Sequence, residues 1–298
     1  MTISTPPFAH PRLFVTGATG QLGRLVIDAL LRQVPADSLV AGVRSPDSAA
    51  ARGLRARGVA LRHIDYDRPE TLETALSGID RLLLISSSEI GRRVVQHRNV
   101  IDAAQRAGIG LIAYTSLLHA ETSPLALAEE HRQTEAALRA SGIPYVLLRN
   151  GWYTENYTAS IPPALEHGVF LGSAGEGRIA SAARVDYAEA AAAVLTAESH
   201  AGRVYELAGD EAYTLTAFAE AVSAAAGTAI AYRNLPEADF KAALVGAGLP
   251  EAFAALLADS DAGAAQGALG ETGGQLSRLI GRPTTPFRTT IAEAVARH

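Results

Sequence analysis

Short apolar runs alternate with amphipathic segments along the first half of the chain. The first run covers residues 13–16 and ends at Gly17, and after a glycine-rich turn apolar residues recur at helical spacing, at Leu22, Val26, Ile27 and Leu30. Further runs that predict strands cover residues 39–43, 60–64, 82–85, 109–114 and 145–148. Segments that predict helices separate them, and Pro69 would begin one of these helices. Strands that alternate with helices predict a parallel sheet with helices on both faces.

The pattern changes after Arg149. Residues 151–183 mix aromatic residues, prolines and glycines, whereas residues 184–209 return to a strand-and-helix pattern with Asp186 as a helix N-cap. The rest of the chain is mostly helical in pattern. We therefore predict an α/β fold, a Rossmann-like doubly wound parallel sheet with a smaller, mostly helical C-terminal lobe. Residues 1–150 and 184–209 are predicted to form the sheet domain, and residues 151–183 and 210–298 the lobe.

Composition excludes several classes of protein. The 298 residues carry 26 Lys and Arg against 31 Asp and Glu, a formal net charge of −5, and the basic residues are scattered, which argues against nucleic-acid binding. The chain has no cysteine, so disulfides, thiolate catalysis and cysteine-ligated metals are excluded. No apolar run approaches the roughly 18 residues of a membrane helix, and no secretory signal is visible. We expect a cytoplasmic protein that does not span a membrane.

Glycines recur at three-residue intervals between the first predicted strand and the first predicted helix, in the run Gly17-Ala18-Thr19-Gly20-Gln21-Leu22-Gly23. In this context the first glycine permits a tight turn, the second lets the backbone approach a pyrophosphate, and the third lets helix and strand pack closely. The N-terminus of the helix then offers free N–H groups to the phosphates. An ordinary turn is the alternative, but the strand before and the helix after favour a dinucleotide site.

Several longer segments resemble the NADPH-dependent quinone oxidoreductases among the NmrA-like atypical short-chain dehydrogenases. They are VTGATGQLG at residues 15–23, LLLISSSE at 82–89, QHRNVIDAA at 96–104, IAYTSLLHA at 112–120 and LLRNGWYTENY at 147–157, with LADSDAGA at 257–264 and LIGRPTT at 279–285 in the tail. The glycine motif is shared by a large superfamily, whereas the serine and RNGWY segments are more specific. Triphenylmethane-dye reductases are similar to the same framework. The resemblance implies that residues 1–150 bind NADPH.

Two residues bear on the form of the cofactor. Arg44 stands at the end of the second predicted strand, where an NAD site would place an acid, and its guanidinium can hold a 2′-phosphate. We therefore predict that NADPH is preferred to NADH, the alternative being that Arg44 is a solvated residue. By resemblance, Asp65 accepts a hydrogen bond from the adenine amino group, although such an aspartate can also cap a helix.

The Tyr-x-x-x-Lys mechanism of many short-chain dehydrogenases is excluded. Lys241 is the only lysine of the chain, and Glu237, not tyrosine, stands four residues before it. Reduction must then depend on positioning and on another proton source. This suits quinones, because a strong electrophile accepts hydride and hydrogen bonds stabilise its developing phenolate.

Ligands of open α/β sheets bind at the carboxyl ends of the strands. The candidates that follow the fourth, fifth and sixth predicted strands are Ser86, Ser87 and Ser88, then Tyr114, Thr115 and Ser116, then Arg149, Asn150, Gly151, Trp152 and Tyr153. The serines would contact ribose and pyrophosphate, or only bond within their loop. The resemblance places the nicotinamide and the substrate after the sixth strand.

The residues after the sixth strand have different predicted roles. Asn150 and Tyr153 are catalytic candidates and also cofactor-binding candidates. Glycine at 151 would let the backbone approach the cofactor. The rings of Trp152 and Tyr153 can stack on a planar ligand, the alternative being core packing between lobes.

His131 is a further catalytic candidate, on a predicted helix with Glu135 one turn later. In the related isoflavone-reductase-like branch a lysine occupies this place, and an imidazole could donate or relay a proton near neutral pH. A helix-surface contact between His131 and Glu135 is the alternative. No second histidine stands at ligand spacing, so we predict no metal site.

Two classes of function remain open. One is hydride transfer from NADPH to quinones or similar planar electrophiles, such as a triphenylmethane dye. The other is a non-catalytic, NADP-binding redox sensor or regulator of the NmrA type, with which the missing Tyr-x-x-x-Lys pair is compatible. The aromatic segment after Arg149 favours the enzyme. We expect a small planar substrate such as a quinone and no nucleic-acid or membrane partner; a homodimer and the physiological acceptor stay open.

Overall fold

The structure, a computed structural model, describes residues 10–298. The strands are β1 Leu13–Val15, β2 Leu39–Val43, β3 Ala60–His63, β4 Arg81–Leu84, β5 Leu111–Leu117, β6 Tyr145–Asn150, β7 Val169–Gly172, β8 Val204–Leu207 and β9 Ala231–Asn234. The helices are α1 Gln21–Leu31, α2 Ala49–Ala56, α3 Pro69–Leu76, α4 Arg93–Ala107, α5 Ala128–Ala140, α6 Thr154–Thr158, α7 Ile161–His167, α8 Arg184–Thr196, α9 Leu215–Ala226, α10 Glu237–Gly246, α11 Glu251–Ala265, α12 Gln275–Ile280 and α13 Phe287–Val295. None of the described helices combines the length and apolar character that crossing a bilayer requires.

Seven strands form one sheet in the order β3-β2-β1-β4-β5-β6-β8. β1 pairs in parallel with β2 and β4, and the pairs β2 with β3 and β4 with β5 are parallel as well. Hydrogen bonds from the N–H of Leu147 to the carbonyl of Arg203, and from that of Gly151 to that of Leu207, keep β6 and β8 in the same direction. The predicted Rossmann-like parallel sheet is confirmed. The strand order reverses between β1 and β4, which is where sheets of this kind bind ligands.

The central strands β1, β2, β4, β5 and β6 are buried along almost their whole length, which is why their sequences are largely apolar, whereas β3 and β8 at the edges of the sheet are partly exposed. Phe14 of β1 shares a cluster with Leu72 of α3, Val100 of α4 and Leu138 of α5. Its neighbour Leu13, which side-chain alternation directs to the opposite face, is also fully buried. Helix α1 contacts β1 and β2 and buries its apolar stripe.

The chain divides into two compact units. The first unit takes the described residues up to Ser116 together with Glu130–Leu148 and Ala188–Tyr205. The second unit takes Leu117–Glu129, Arg149–Tyr187 and Glu206–His298. The assignment of one region to the cofactor and the other to the substrate stays a prediction.

The second unit contains a small parallel sheet, β7 with β9, that the sequence pattern did not predict. Most of β9 is exposed, so it lacks the alternation that identifies a half-buried strand. The core of this unit is rich in aromatic rings, which are Trp152, Tyr157, Phe170, Tyr213, Phe218 and Phe287. The rings of Tyr213 and Phe287 are stacked with centroids 4.0 Å apart.

Two strands continue beyond the residues that the pattern predicted. β5 extends to Leu117 and not to Tyr114, and β6 ends at Asn150, two residues past Leu148. Apart from Leu117, the added residues are polar, so they ended the apolar runs in the sequence. They are nevertheless buried, and Ser116 hydrogen bonds to a side chain of the same unit.

The prediction that Asp186 is the N-cap of its helix is wrong. α8 begins at Arg184, so Asp186 lies in the first turn and is fully buried. Its carboxylate accepts hydrogen bonds from Nη2 of Arg282 at 2.7 Å and from the N–H of Thr285 at 2.8 Å. The carboxylate therefore anchors the segment before α13 instead of capping α8.

Two carboxylates hold α11 within the second unit. Glu251, at its start, pairs with Lys241 of α10 at 2.9 Å. Asp261, near its end, is buried and accepts hydrogen bonds from the hydroxyl of Tyr157 and from the N–H of Ser173, both at 2.8 Å. Burial raises the pKa of Asp261 to about 6, although the two hydrogen bonds oppose that shift.

The raised pKa of Asp261 makes the stability of the fold depend on pH. The folded chain binds this proton near pH 6 and the unfolded chain near about pH 4, so the free energy of unfolding falls by about 3 kcal/mol as pH rises through this range. Asp261→Asn keeps an acceptor for Ser173 and a polar partner for Tyr157, and it should remove this slope in urea unfolding. Asp259→Asn, on the same helix, is the control; an equal slope in wild type and Asp261→Asn contradicts the prediction.

Candidate functional site

The glycine-rich turn lies between β1 and α1 in the first unit. Gly17 has φ +58°, in the left-handed region that favours glycine, and its carbonyl accepts the N–H of Gly20 at 2.9 Å. A Cβ on Gly23 would lie 2.2 Å from the oxygen of Gly17 and 2.8 Å from Cα of Ala18. The third glycine is therefore required by the close approach of helix and turn.

The first turn of α1 is favourable for an anion. Its N-cap, Gly20, has no side-chain hydrogen bond, and no acidic residue stands in the first turn. Free backbone N–H groups and the positive end of the helix dipole remain there. Gly20 and Gln21 are exposed and Thr19 is half-buried, whereas Ala18 and Leu22 are buried.

Arg44 and Asp65 follow β2 and β3. The side chain of Arg44 is 72% exposed, and its Nη1 lies 3.5 Å from an oxygen of Glu89, an exposed pair that is easily exchanged for a phosphate. Asp65 does not cap α3, whose N-cap is Arg68. Instead, Oδ1 of Asp65 accepts the N–H of Asp67 at 3.0 Å, so the helix-cap alternative is wrong.

The loop after β4 is held by side chains from other elements of the first unit. The N–H of Ser86 donates to Oγ1 of Thr115 at 2.8 Å, and the N–H of Ser87 donates to Nε2 of His97 at 2.9 Å. The hydroxyl of Ser87 is buried and accepts the N–H of Glu89 at 3.1 Å. Ser87 therefore follows the alternative in which a serine bonds only within its loop. Ser86 is half-buried and Ser88 is exposed, so their hydroxyls remain candidates for contact with a ligand.

His131 lies on the buried face of α5. It is 3% exposed and Glu135 is 1% exposed, so the helix-surface alternative is wrong. These two residues, with Thr134 and Leu138, recur at the spacing of a buried helical stripe. Glu135 accepts a hydrogen bond from the hydroxyl of Ser116 at 2.6 Å, which compensates part of its burial.

His131 is a neutral imidazole. Its Nδ1 lies 2.7 Å from the hydroxyl of Tyr114, which is fully buried. Burial, and then the charge of Arg93, hold the pKa of His131 well below its usual value, and burial raises the pKa of Tyr114. Proton donation by a cationic His131 near neutral pH is therefore wrong, although the neutral pair can still relay a proton.

Arg149 is tied to carboxylates within the second unit. Its Nη1 donates to Glu206 at 2.8 Å and its Nη2 to Glu121 at 2.9 Å, and the side chain is almost fully buried. Glu206 also accepts the N–H of His119, a residue with φ +51°, at 2.8 Å. The guanidinium of Arg149 thus stabilises the ends of β6 and β8, and contact with a cofactor is left to its backbone.

Asn150 and Tyr153 lie together just after β6. Nδ2 of Asn150 donates to the hydroxyl of Tyr153 at 3.3 Å, while Oδ1 of Asn150 is buried and has no hydrogen-bond partner among residues 10–298. The ring of Tyr153 packs edge-on against Tyr187, with centroids 5.1 Å apart, and lies 4.9 Å from the guanidinium carbon of Arg184. A buried amide oxygen without a donor is costly unless a ligand supplies one.

Gly151 and Trp152 are explained by packing. A Cβ on Gly151 would lie 2.9 Å from the carbonyl oxygen of Leu207 and 3.2 Å from the hydroxyl of Tyr187. Trp152 packs in a core, 6.2 Å from the ring of Tyr157, but this core lies within the second unit, whereas the packing alternative places it between lobes. Its Nε1 is buried without a partner in the described part of the chain.

Sequence reasoning missed the side chains that hold the loop after β4. Thr16 accepts the N–H of Ile85 at 2.9 Å, and His97 accepts that of Ser87. The available signal was position, because Thr16 directly precedes the first glycine and His97 shares its helical stripe with Val100 and Ile101. A polar residue in an apolar stripe calls for a buried partner.

The first unit thus brings together the glycine turn, Thr16, the serine loop, Thr115 and the buried Tyr114–His131 pair. The second unit brings Asn150 next to Tyr153. Among the described residues no group of three or more His, Asp or Glu side chains could hold a metal ion.

The sheet order and the glycine turn are those of the Rossmann-like α/β class. Residues 10–265 match the NmrA-like family, and the chain belongs to that family. The resemblance predicted from the sequence segments is therefore confirmed.

Individual relatives of known name match this chain over nearly its whole length. It is 57% identical to quinone oxidoreductase 2 of Escherichia coli (strain K12) over 282 residues, which cover 95% of this chain and 96% of that protein. The crystal structure of the E. coli NADPH-dependent quinone oxidoreductase complexed with NADPH is 56% identical, with a TM-score of 0.90 and coverage of 96% and 99% of the two chains. Citrobacter sp. triphenylmethane reductase complexed with NADP(H) is 38% identical, with a TM-score of 0.90 and coverage of 95% and 99%.

Proposed function

We propose that this chain transfers hydride from NADPH to quinones or similar planar electrophiles. The observation that carries the proposal is 57% identity, over 95% of the chain, to quinone oxidoreductase 2 of E. coli. The likeness to triphenylmethane reductase, at 38% identity, supports a planar acceptor more generally. A cytoplasmic location, a homodimer and the lack of nucleic-acid or membrane partners stay predictions.

The residues present fit NADPH. The glycine turn and the acid-free first turn of α1 suit a pyrophosphate, and the exposed Arg44 suits a 2′-phosphate. The partnerless Oδ1 of Asn150 suits an N–H donor such as a carboxamide. Ser86, Ser88 and Thr115 would add hydroxyl contacts, and Asp65 has a carboxylate oxygen to offer an amino group.

NADPH, when bound, supplies the hydride. A quinone that accepts hydride also needs one proton to become the hydroquinone. Asn150 donates to the oxygen of the Tyr153 hydroxyl at 3.3 Å, which fixes the position of that hydroxyl beside Asn150. Asn150 therefore orients Tyr153, and Tyr153 is the proposed donor to the developing phenolate. The neutral Tyr114–His131 pair of the first unit has no direct role in this proposal.

Steady-state oxidation of NADPH tests the function. We expect purified protein to accelerate NADPH oxidation with a panel of small quinones over the enzyme-free blank, with hydroquinone formed in equal amount. A triphenylmethane dye, assayed in parallel, reports whether the acceptor class is wider. Tight binding of NADPH without turnover of any acceptor would refute catalysis and favour the redox-sensor alternative.

Arg44 is expected to set the preference for NADPH. One charge-assisted contact to the 2′-phosphate corresponds to roughly a ten-fold preference, which Arg44→Ala should erase in titrations with NADPH and NADH. Arg92→Ala is the matched control, because Arg92 is similarly exposed and contacts the same Glu89 carboxylate at 3.5 Å. Equal affinities of the wild type for both cofactors would remove Arg44 from the site.

Asn150→Ala and Tyr153→Ala are expected to lower quinone turnover by more than about ten-fold in folded protein, because a misaligned acceptor loses reactivity before it loses binding. Tyr153→Phe removes only the hydroxyl and tests the proton donor. Tyr232→Phe is its control, since that hydroxyl bonds Asn234 in the same unit. A packing role predicts the opposite pattern, with a lower melting temperature and unchanged turnover per folded molecule.

A further inference from the structure

The segment Ile85–Ser87 leaves β4 with its backbone N–H groups bound by side chains. The N–H of Ile85 donates to Oγ1 of Thr16 at 2.9 Å, that of Ser86 to Oγ1 of Thr115 at 2.8 Å, and that of Ser87 to Nε2 of His97 at 2.9 Å. The three acceptors come from the end of β1, from β5 and from α4. Three consecutive donors are thus fixed by three elements of the first unit.

Carbonyl groups of the same segment are bound in the same way. The carbonyl of Ile85 accepts the hydroxyl of Tyr66 at 3.1 Å, and the carbonyl of Ser87 accepts Nε of Arg93. Both backbone groups of Ser87 are therefore occupied, one by His97 and one by Arg93. The shape of this segment depends on side chains and not on a strand ladder.

The tautomer of His97 follows from its two contacts. Because Nε2 accepts the N–H of Ser87, the ring proton is on Nδ1, which donates to Oγ1 of Thr134 at 2.9 Å. Thr134 in turn donates its own proton to the carbonyl of Glu130 at 2.9 Å. His97 is fully buried. Burial, and to a smaller extent the charge of Arg93, lowers its pKa to about 3, so the ring is neutral near neutral pH.

An apolar residue would satisfy packing at this place in α4 without requiring partners. A buried imidazole needs both nitrogens satisfied, so its presence points to a specific contact. That contact is Ser87, in the loop beside the point between β1 and β4 where the strand order reverses. Ligands of open α/β sheets bind at such a point.

We propose that His97 is a positioning residue for the cofactor, which through the N–H of Ser87 holds the segment Ile85–Ser87 in the shape that receives NADPH. Thr134 is the second member of this arrangement, because it keeps the proton on Nδ1. The inference rests on the proposed function, since it assumes that NADPH binds at this edge of the sheet.

Three variants separate positioning from packing. His97→Leu fills a similar volume without an acceptor, His97→Gln keeps an acceptor for Ser87, and Thr134→Val removes only the acceptor of the Nδ1 proton. His200→Leu is the control, because His200 of the same unit bonds the hydroxyl of Tyr205. For each variant we would measure the melting temperature, the Kd of NADPH by fluorescence titration, and KM and kcat.

We expect His97→Leu to raise Kd and KM for NADPH by roughly ten-fold or more, with a smaller change in kcat at saturation. His97→Gln should restore NADPH affinity to within roughly three-fold of wild type, and Thr134→Val should fall between the two. A structural role alone would lower the melting temperatures of the variants and leave Kd and KM unchanged.

The outcomes distinguish the two proposals. A wild-type chain that binds no NADPH overturns the proposed function, and this inference with it. If the wild type binds NADPH and His97→Leu binds it with equal affinity, only the proposed role of His97 is overturned. If His97→Leu does not fold, the test depends on Thr134→Val. Values of Kd and KM in that variant equal to those of the wild type would overturn the inference.

Discussion

Backbone groups that leave a parallel sheet must find partners, and at the carboxyl edge they must do so while the edge stays open to a ligand. In this chain side chains supply those partners. Thr16 shows the arrangement in one residue, because its hydroxyl donates to the carbonyl of Leu83 and accepts the N–H of Ile85. The last residue before the glycine turn thereby links β1 to the loop after β4. The turn and the serine loop, which are both proposed to contact the cofactor, share this support.

The same requirement explains the polar residues on the buried faces of α4 and α5. His97 and Thr134 satisfy each other, and His131 and Glu135 bond residues of β5. Each of these groups would be destabilising alone in an apolar core, and each is acceptable because its partner is fixed by another element. In the first unit the backbone at the carboxyl edge is therefore held by side chains, whereas the sheet itself is stabilised by apolar burial.

The difference between apolar burial in the sheet and side-chain hydrogen bonds at its edge decides which features the sequence could predict. Strands such as Leu39–Val43, and the turn from Gly17 to Gly23, follow from apolar runs and glycine spacing, which are local properties. The burial of His131 and the contacts of His97 depend on residues far away in the chain, so the sequence left a helix-surface contact of His131 open as an alternative to a catalytic role. Trp152 illustrates the same difficulty, since an aromatic residue beside a candidate pocket has the same sequence signature whether it faces a ligand or the core.

The scarcity of cysteine and lysine in this chain has a chemical consequence. Quinones are electrophiles that alkylate thiols and free amines, so an enzyme that handles them risks modification by its own substrate. This chain has no cysteine, and its one lysine, Lys241, pairs with Glu251 at 2.9 Å. The composition therefore leaves few of the side-chain nucleophiles that such a substrate could alkylate.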